Sequence, residues 1–266
     1  MTAPVAPLAF ITGASSGIGQ ALAARLHARG YRLALVARRA DTLRQWVEAQ
    51  GYTAGEAGVY AADVRDLAAL TGVGRACLAA QGTPEIVIAN AGISIGMDTA
   101  VAGDLEVMRS ILETNLLGTA ATFHPFIDAM RQRGSGRLVG IASVAGIRGL
   151  PGHGAYCASK AGVISYCESL RGELRTSGVK VVTITPGYID TPLTRRNRYA
   201  MPFLMQPEIF AEQACRAIEA GVSYRVIPWQ MGVVAKLFRI LPNWLFDQAL
   251  EGRARKPRQE DDAAAG

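Results

Sequence analysis

The residues with the most chemistry to offer are a tyrosine, a lysine and a serine. Tyr156 and Lys160 sit four apart in Tyr156-Cys157-Ala158-Ser159-Lys160, inside a predicted helix over 154–177, so they share a helix face. Ser143 follows directly on a predicted strand, Arg137–Ala142. A free tyrosine titrates near 10, so about 0.1% of it is phenolate at pH 7. A neighbouring ammonium favours the charged form. That pairing makes Tyr156 usable as a general acid/base. The competing reading is a surface Tyr and Lys on a helix, with Ser143 in a polar turn.

A second group of residues suits a phosphate-bearing ligand. Thr12-Gly13-Ala14-Ser15-Ser16-Gly17-Ile18-Gly19 closes the first predicted strand and opens a helix. Glycines permit a tight turn and close approach of backbone N–H groups to a pyrophosphate, whose charge suits a helix N-terminus. The spacing is GxxxGxG and not GxGxxG, and a plain structural turn is the alternative. The lysine of a nucleoside-triphosphatase loop is missing from the motif. The second predicted strand ends in Ala37-Arg38-Arg39, where a fold of this kind that holds a ribose 2′-hydroxyl carries an acidic residue. Guanidinium groups suit a 2′-phosphate instead. Asp41 is expected to cap the next helix. Asp63-Val64 ends the third strand and is placed to face an adenine. Asn90-Ala91-Gly92 ends the fourth, where small residues leave room for a ribose.

Such groups need a scaffold that brings strand ends together. Predicted strands fall at Leu8–Thr12, Arg32–Ala37, Gly58–Ala61, Ile86–Asn90, Arg137–Ala142, Lys180–Thr185 and Tyr224–Ile227. Predicted helices cover about 17–30, 41–50, 66–81, 104–132, 154–177 and 207–220. Continuous Val/Ile/Leu runs suit strands buried on both faces of a parallel sheet. The alternation predicts an α/β, three-layer, doubly wound Rossmann-type fold with a seven-stranded, mostly parallel sheet and right-handed crossovers. All the motifs above then lie at carboxyl ends of strands, where ligands bind in such sheets.

Composition narrows the function classes. The chain has 266 residues, 50% apolar and 19% charged, which excludes a largely disordered protein. Four cysteines without CxxC spacing exclude a disulfide scaffold and offer no zinc or redox pair. His27, His124 and His153 have no metal spacing, and no metal site is expected. The net charge of +6 raises nucleic acid as a partner. No recognised binding motif or aromatic-interleaved basic platform supports it, and none is expected. No basic start precedes the first apolar stretch and no run reaches a membrane span, so the expected compartment is the cytoplasm.

Taken together, TGASSGIG (12–19), Asp63-Val64, NAG (90–92), Asn115-Leu116-Leu117-Gly118, Ser143, YCASK (156–160) and Pro186-Gly187 with Thr191 resemble the short-chain dehydrogenase/reductase family, short-subunit branch. The motifs appear in the family's order over about residues 8–228. The resemblance implies a catalytic set of Asn115, Ser143, Tyr156 and Lys160. Tyr156 would exchange a proton with the substrate oxygen, and Ser143 would hydrogen-bond that oxygen. Lys160 would hold the nicotinamide ribose and lower the tyrosine pKa. Asn115 would place a water in a proton relay. The cofactor set would comprise Gly13, Ser15, Ser16, Gly17, Ile18, Gly19, Arg38, Arg39, Asp63, Val64, Asn90, Ala91, Gly92, Tyr156, Lys160, Pro186, Gly187, Ile189 and Thr191. Arg38 stands where members preferring NADP(H) over NAD(H) carry a basic residue. The implied activity is interconversion of a carbonyl and a secondary alcohol; the apolar residues of 188–206 add the expectation of a hydrophobic or lipid-like small-molecule substrate. The implied assembly is a homodimer or homotetramer. Cys157 reads as a small packing residue, and His153 as a loop histidine, the alternative being that it lines the substrate entrance.

Two segments go beyond the resemblance. Residues 188–206 read either as a lid receiving a long apolar ketone, with Arg195, Arg196 and Arg198 for an acidic head, or as an amphipathic helix pair with solvated arginines. The second is favoured. Residues 1–228 are expected to form the dinucleotide-binding and catalytic domain, and 229–258 an amphipathic helical extension of it. Residues 259–266 are expected to be a disordered tail. Pro242-Asn243 splits the extension into two helices. Residues 223–258 carry seven basic and two acidic side chains. The extension could cover the cleft, pack on a second subunit, or lie on an anionic membrane surface. The alternative to an enzyme is a cofactor-binding regulatory or membrane-associated module without strong turnover.

Overall fold

The computed structural model describes residues 6–195, 197, 199–252 and 255–258. Arg196, Arg198, Arg253 and the expected tail 259–266 lie outside the described residues.

The seven apolar runs form seven strands: β1 (Leu8–Thr12), β2 (Arg32–Ala37), β3 (Ala57–Ala61), β4 (Ile86–Ala89), β5 (Gly136–Ile141), β6 (Val179–Pro186) and β7 (Tyr224–Ile227). They make one sheet in the order β3-β2-β1-β4-β5-β6-β7. Every neighbouring pair is parallel, so the sheet is wholly parallel rather than mostly so. Strand alternation divides the core in two. Ala9, Ile11, Leu33 and Leu35 pack on one face under α1 (Gly17–His27), α2 (Ala40–Ala49) and α7 (Pro207–Glu219). Leu8, Phe10, Ala34 and Val36 pack on the other, under α3 (Leu67–Gln81), α5 (Gly118–Arg133) and α6 (Gly154–Glu173). Burial on both faces explains why these strands read as unbroken apolar runs. Winding reverses between β1 and β4, which opens a crevice at their carboxyl ends.

The expected helix over 104–132 is two helices. α4 (Asp104–Leu112) and α5 are joined by a π-helical turn, Glu113–Leu117. The extra residue in that turn goes with a fixed Asn115: its side chain bonds to the backbone of Ile93 and to Ser159. Asp41 does not cap α2. It is the second residue of that helix and pairs with Arg44.

The favoured helix pair in 188–206 is absent among the described residues. The described residues between Tyr188 and Met205 follow an irregular path, with an Ile189–Met205 bridge joining the two ends. Pro192 and Pro202 interrupt helical hydrogen bonding, and Phe203 sits at φ 57°. Arg195 pairs with Asp190. The extension does split at Pro242, into α8 (Trp229–Ile240) and α9 (Asn243–Leu250).

Candidate active site

The glycine turn is built by contacts that allow no side chain. Gly13 (φ 67°) and Gly17 (φ 56°) occupy the left-handed region. A Cβ on Gly19 would stand 2.2 Å from the Gly13 carbonyl oxygen. Asn90 Nδ2 donates to the Thr12 and Gly13 carbonyls, each at 3.1 Å, and locks the turn to the end of β4. Ser16 caps α1 without a side-chain bond, and no acidic residue enters the first turn. The first backbone N–H groups and the positive end of the helix dipole are therefore available to an anion.

The turn forms one wall of a cleft of about 310 Å³. Gly13, Ser15, Ser16, Gly17, Ile18, Arg38, Arg39, Asp63, Val64, Asn90, Ala91, Gly92, Ser143, Tyr156, Lys160, Pro186, Gly187, Ile189 and Thr191 all line it. Gly19 and Asn115 do not. Gly19 lies behind the turn, against Gly13. Asn115 lies behind Gly92 and is fully buried.

At one end, the exposed Arg38 guanidinium stands 3.8 Å from Asp63. Asp63 is gripped more closely by Arg65, which donates from its backbone N at 3.0 Å and from Nη2 at 2.8 Å. The Arg65 hydrogen bonds, with Arg38 adding attraction, hold the Asp63 carboxyl below its ordinary range despite partial burial.

At the other end, Tyr156 is half-buried, with the Ser143 hydroxyl beside its own. Burial raises the phenol pKa and the Ser143 hydroxyl opposes the rise. Ser143 Oγ also accepts from Ala145 N at 3.2 Å, so it is oriented before any substrate arrives. Lys160 is 4% exposed, and its Nζ donates to the Ile141 carbonyl at 2.8 Å, 5.9 Å from the Tyr156 ring centre. Burial pulls its pKa down to about 8. Asn115 Oδ1 accepts from Ile93 N at 2.8 Å, and its Nδ2 donates to the Ile93 carbonyl and to Ser159. A Cβ on Gly92 would meet Asn115 Oδ1 at 3.3 Å and Lys160 Nζ at 3.4 Å.

Sequence reasoning missed Ile93, Thr114, Leu193 and Thr194 as lining residues. Thr114 adjoins Asn115 in the π-helical turn, and Leu193 and Thr194 follow Thr191, so proximity to the motifs was the only signal. Cys157 is buried with a raised pKa, as befits a packing residue. His153 is buried at the start of α6, its ring edge-on to Tyr199. No metal-binding cluster occurs among the described residues.

A parallel doubly wound sheet, a glycine turn at its switch point, and a buried Lys beside Ser143 and Tyr156 fit a dinucleotide-dependent oxidoreductase. The chain belongs to the short-chain dehydrogenase family, whose model, "short chain dehydrogenase", matches residues 7–201. It is 41% identical to an uncharacterized oxidoreductase of Myxococcus xanthus, over 91% of this chain and 95% of that protein. It is 35% identical to the monensin polyketide synthase putative ketoacyl reductase of Streptomyces virginiae, over 74% of this chain and 76% of that one. Among solved structures it is similar to an alcohol dehydrogenase of Thermococcus sibiricus complexed with 5-hydroxy-NADP. That match has a TM-score of 0.72 and 27% identity, over 83% of this chain and 95% of that one. The protein is an NAD(P)-dependent short-chain dehydrogenase/reductase.

Proposed function

We propose that the protein interconverts a carbonyl and a secondary alcohol on a hydrophobic or lipid-like substrate, using NADP(H) in preference to NAD(H). The observation that carries the reaction is that Ser143, Tyr156 and a buried Lys160 line one cleft together with the glycine turn of β1, as a dinucleotide oxidoreductase requires. The similarity to a ketoacyl reductase supports a carbonyl on an acyl chain. Arg38 and Arg39, in place of an acidic residue, support a 2′-phosphate.

The nicotinamide supplies hydride chemistry when bound. The chain supplies position and protons. The Gly13–Gly19 turn and the α1 N-terminus hold the pyrophosphate. Asp63 takes the adenine amino group, with Val64 against the ring. Asn90, Ala91 and Gly92 leave room for the second ribose, whose hydroxyls Lys160 binds. Ile189 and Thr191, after Pro186-Gly187, hold the carboxamide. Ser143 donates to the substrate oxygen, and Tyr156 delivers or removes the proton at that same atom. With its pKa raised by burial, Tyr156 starts as the neutral phenol, the form a reductase needs. Asn115 fixes the backbone at Ile93 and supports a water relay to Lys160.

Tyr156→Phe tests the mechanism. Turnover of a carbonyl panel with NADPH should fall about 100-fold or more, while NADPH still binds. Substantial residual turnover overturns the mechanism. Tight NADPH binding by the wild-type chain without oxidation across the whole panel favours a regulatory module.

Residues 1–228 are read as the catalytic unit and 229–258 as an extension of the same domain. Trp229, Val233, Leu237, Ile240 and Trp244 are exposed along α8 and the start of α9. Lys236 and Arg239 of α8 are exposed along the same helix. An apolar stripe flanked by basic residues complements an anionic membrane surface. No helix among the described residues is long and apolar enough to cross a membrane. The reading is a cytoplasmic enzyme with peripheral membrane contact, carried by that exposed stripe. It includes a homodimer or homotetramer, as the family resemblance implies, which sedimentation velocity tests.

A further inference from the structure

Three loops leave the elements that carry Ser143 and Tyr156 or flank them: 93–103 after β4 and 187–195 after β6, which both contribute residues to the cleft lining, and 147–153, which runs from the Ser143 segment to α6. The short segment 255–258 touches all three. Gly96 and Arg258 form a parallel bridge, and Gly96 N donates to the Pro257 carbonyl at 3.0 Å. The Arg255 side chain lies against Gly152, where an added Cβ would come within 3.1 Å of it. Lys256 is buried, and its Nζ donates to the carbonyl of Leu193, a cleft-lining residue, at 3.4 Å.

The anchor is a two-pronged ion pair. Arg258 Nε and Nη2 donate to Asp104 Oδ2 and Oδ1 at 2.7 and 3.1 Å. Asp104 is 3% exposed and also accepts from Asp98 N at 2.7 Å. Paired charges in fork geometry are both strong and directional. Losing one partner leaves a buried charge uncompensated. Gly96 shows how closely the segment is seated: a Cβ there would stand 2.1 Å from the Lys256 carbonyl oxygen. The loops before α6 and after β4 are also joined directly, Met97 N to the Gly152 carbonyl at 3.1 Å. Segment 255–258 adds the third loop to that pair.

We propose that residues 255–258 form a specificity strap: Arg258, anchored on Asp104, pins the three loops in one arrangement and so limits the size of carbonyl substrate admitted to Ser143 and Tyr156. The proposal rests on reading the Ser143–Tyr156 end of the cleft as the reactive end. Arg258 and Asp104 touch no reacting group. They are positioning residues, and their removal changes selection among substrates, not the chemistry.

The test uses Arg258→Gln, Asp104→Asn and Gly96→Val in the full chain, with NADPH and methyl ketones of increasing chain length. Each variant should raise the kcat/KM ratio of the longest to the shortest ketone by about tenfold, the scale at which pocket fit discriminates. Affinity for NADPH should stay unchanged, and the Arg258→Gln/Asp104→Asn double variant should add little to either single one. An unchanged ratio, an equal loss on every ketone, or a shift toward short ketones overturns the strap. Amide hydrogen exchange over 93–104 gives a readout independent of turnover: it should quicken in all three variants. If the wild-type chain reduces no ketone, the reading of the site fails, and exchange still decides the strap. Unchanged exchange overturns it.

Discussion

At the scale of single residues, the site is decided by a few charges placed against burial. Arg38 is exposed at the cleft and only loosely held by Asp63, so a ligand phosphate can recruit it at small cost. Charge-assisted bonds of this kind contribute roughly 1.5–3 kcal/mol. Arg38→Ala should therefore weaken NADPH binding roughly 10- to 100-fold and barely change NADH, as read by fluorescence titration. Equal loss for both cofactors would refute the 2′-phosphate role. Lys160 offers a second check. Its folded pKa of about 8 lies below the ordinary lysine value. Between that value and about 10.4 the unfolded chain binds more protons, so this group's contribution makes the cofactor-free protein more stable as pH rises. The wild-type melting temperature should climb relative to that of Lys160→Met across this window. Parallel curves would show that Lys160 is not a desolvated ammonium. The pairing of Tyr156 with Lys160 was legible from four-residue spacing. The locking of Asn115 was not, because its partners Ile93 and Ser159 are 22 and 44 residues away.

At the scale of elements, the glycine turn keeps its shape because a Cβ at Gly13, Gly17 or Gly19 would meet three different neighbours. Gly19 is the sharpest case. Alanine there is intrinsically better in a helix than glycine by about 1 kcal/mol, yet its Cβ would collide with the Gly13 carbonyl. Gly19→Ala should leave α1 folded by circular dichroism while weakening NADPH at least about tenfold, since one displaced backbone donor in an anion cradle costs that much. Unchanged affinity would mean that the turn does not hold the pyrophosphate. Strands were the most legible elements, each within one or two residues of its sequence bounds, because burial on both faces leaves unbroken apolar runs. The helix through 104–132 was less so. Apolar periodicity continues smoothly through Leu112 to Leu117, and nothing local marks a π-helical turn whose cause lies in contacts to other elements. The loop 188–206 misled in the opposite way. Its apolar residues suggested a helical face, but Pro192 and Pro202 and the Ile189–Met205 bridge impose an irregular path.

At the scale of the whole molecule, the sheet sets where everything lies, and the extension sets what the surface offers. The proposed membrane face predicts that the protein pellets with vesicles containing anionic phosphatidylglycerol and much less with phosphatidylcholine alone. Lys236→Gln and Arg239→Gln should each lower the partition about fivefold, from about 1 kcal/mol per basic side chain near an anionic surface. Trp229→Ser with Trp244→Ser should abolish it. Vesicle binding that ignores all four positions would remove the membrane contact and leave the stripe to a second copy. The basic residues themselves turned out to serve different purposes. Lys236 and Arg239 face solvent, whereas Lys256 and Arg258 turn inward onto Leu193 and Asp104.

By itself the sequence determined the sheet and the switch-point crevice, and it named the residues proposed to react. Those depend on local apolar runs and on motifs at strand ends, where residue type and position are read together. The tertiary structure decided what lies between distant segments: Asn115 held by Ile93 and Ser159, Asp63 shared by Arg65 and Arg38, and Arg258 seated on Asp104 across 154 residues. Such pairings are set by the packing of whole layers, which brings together groups whose spacing along the chain carries no periodic signal.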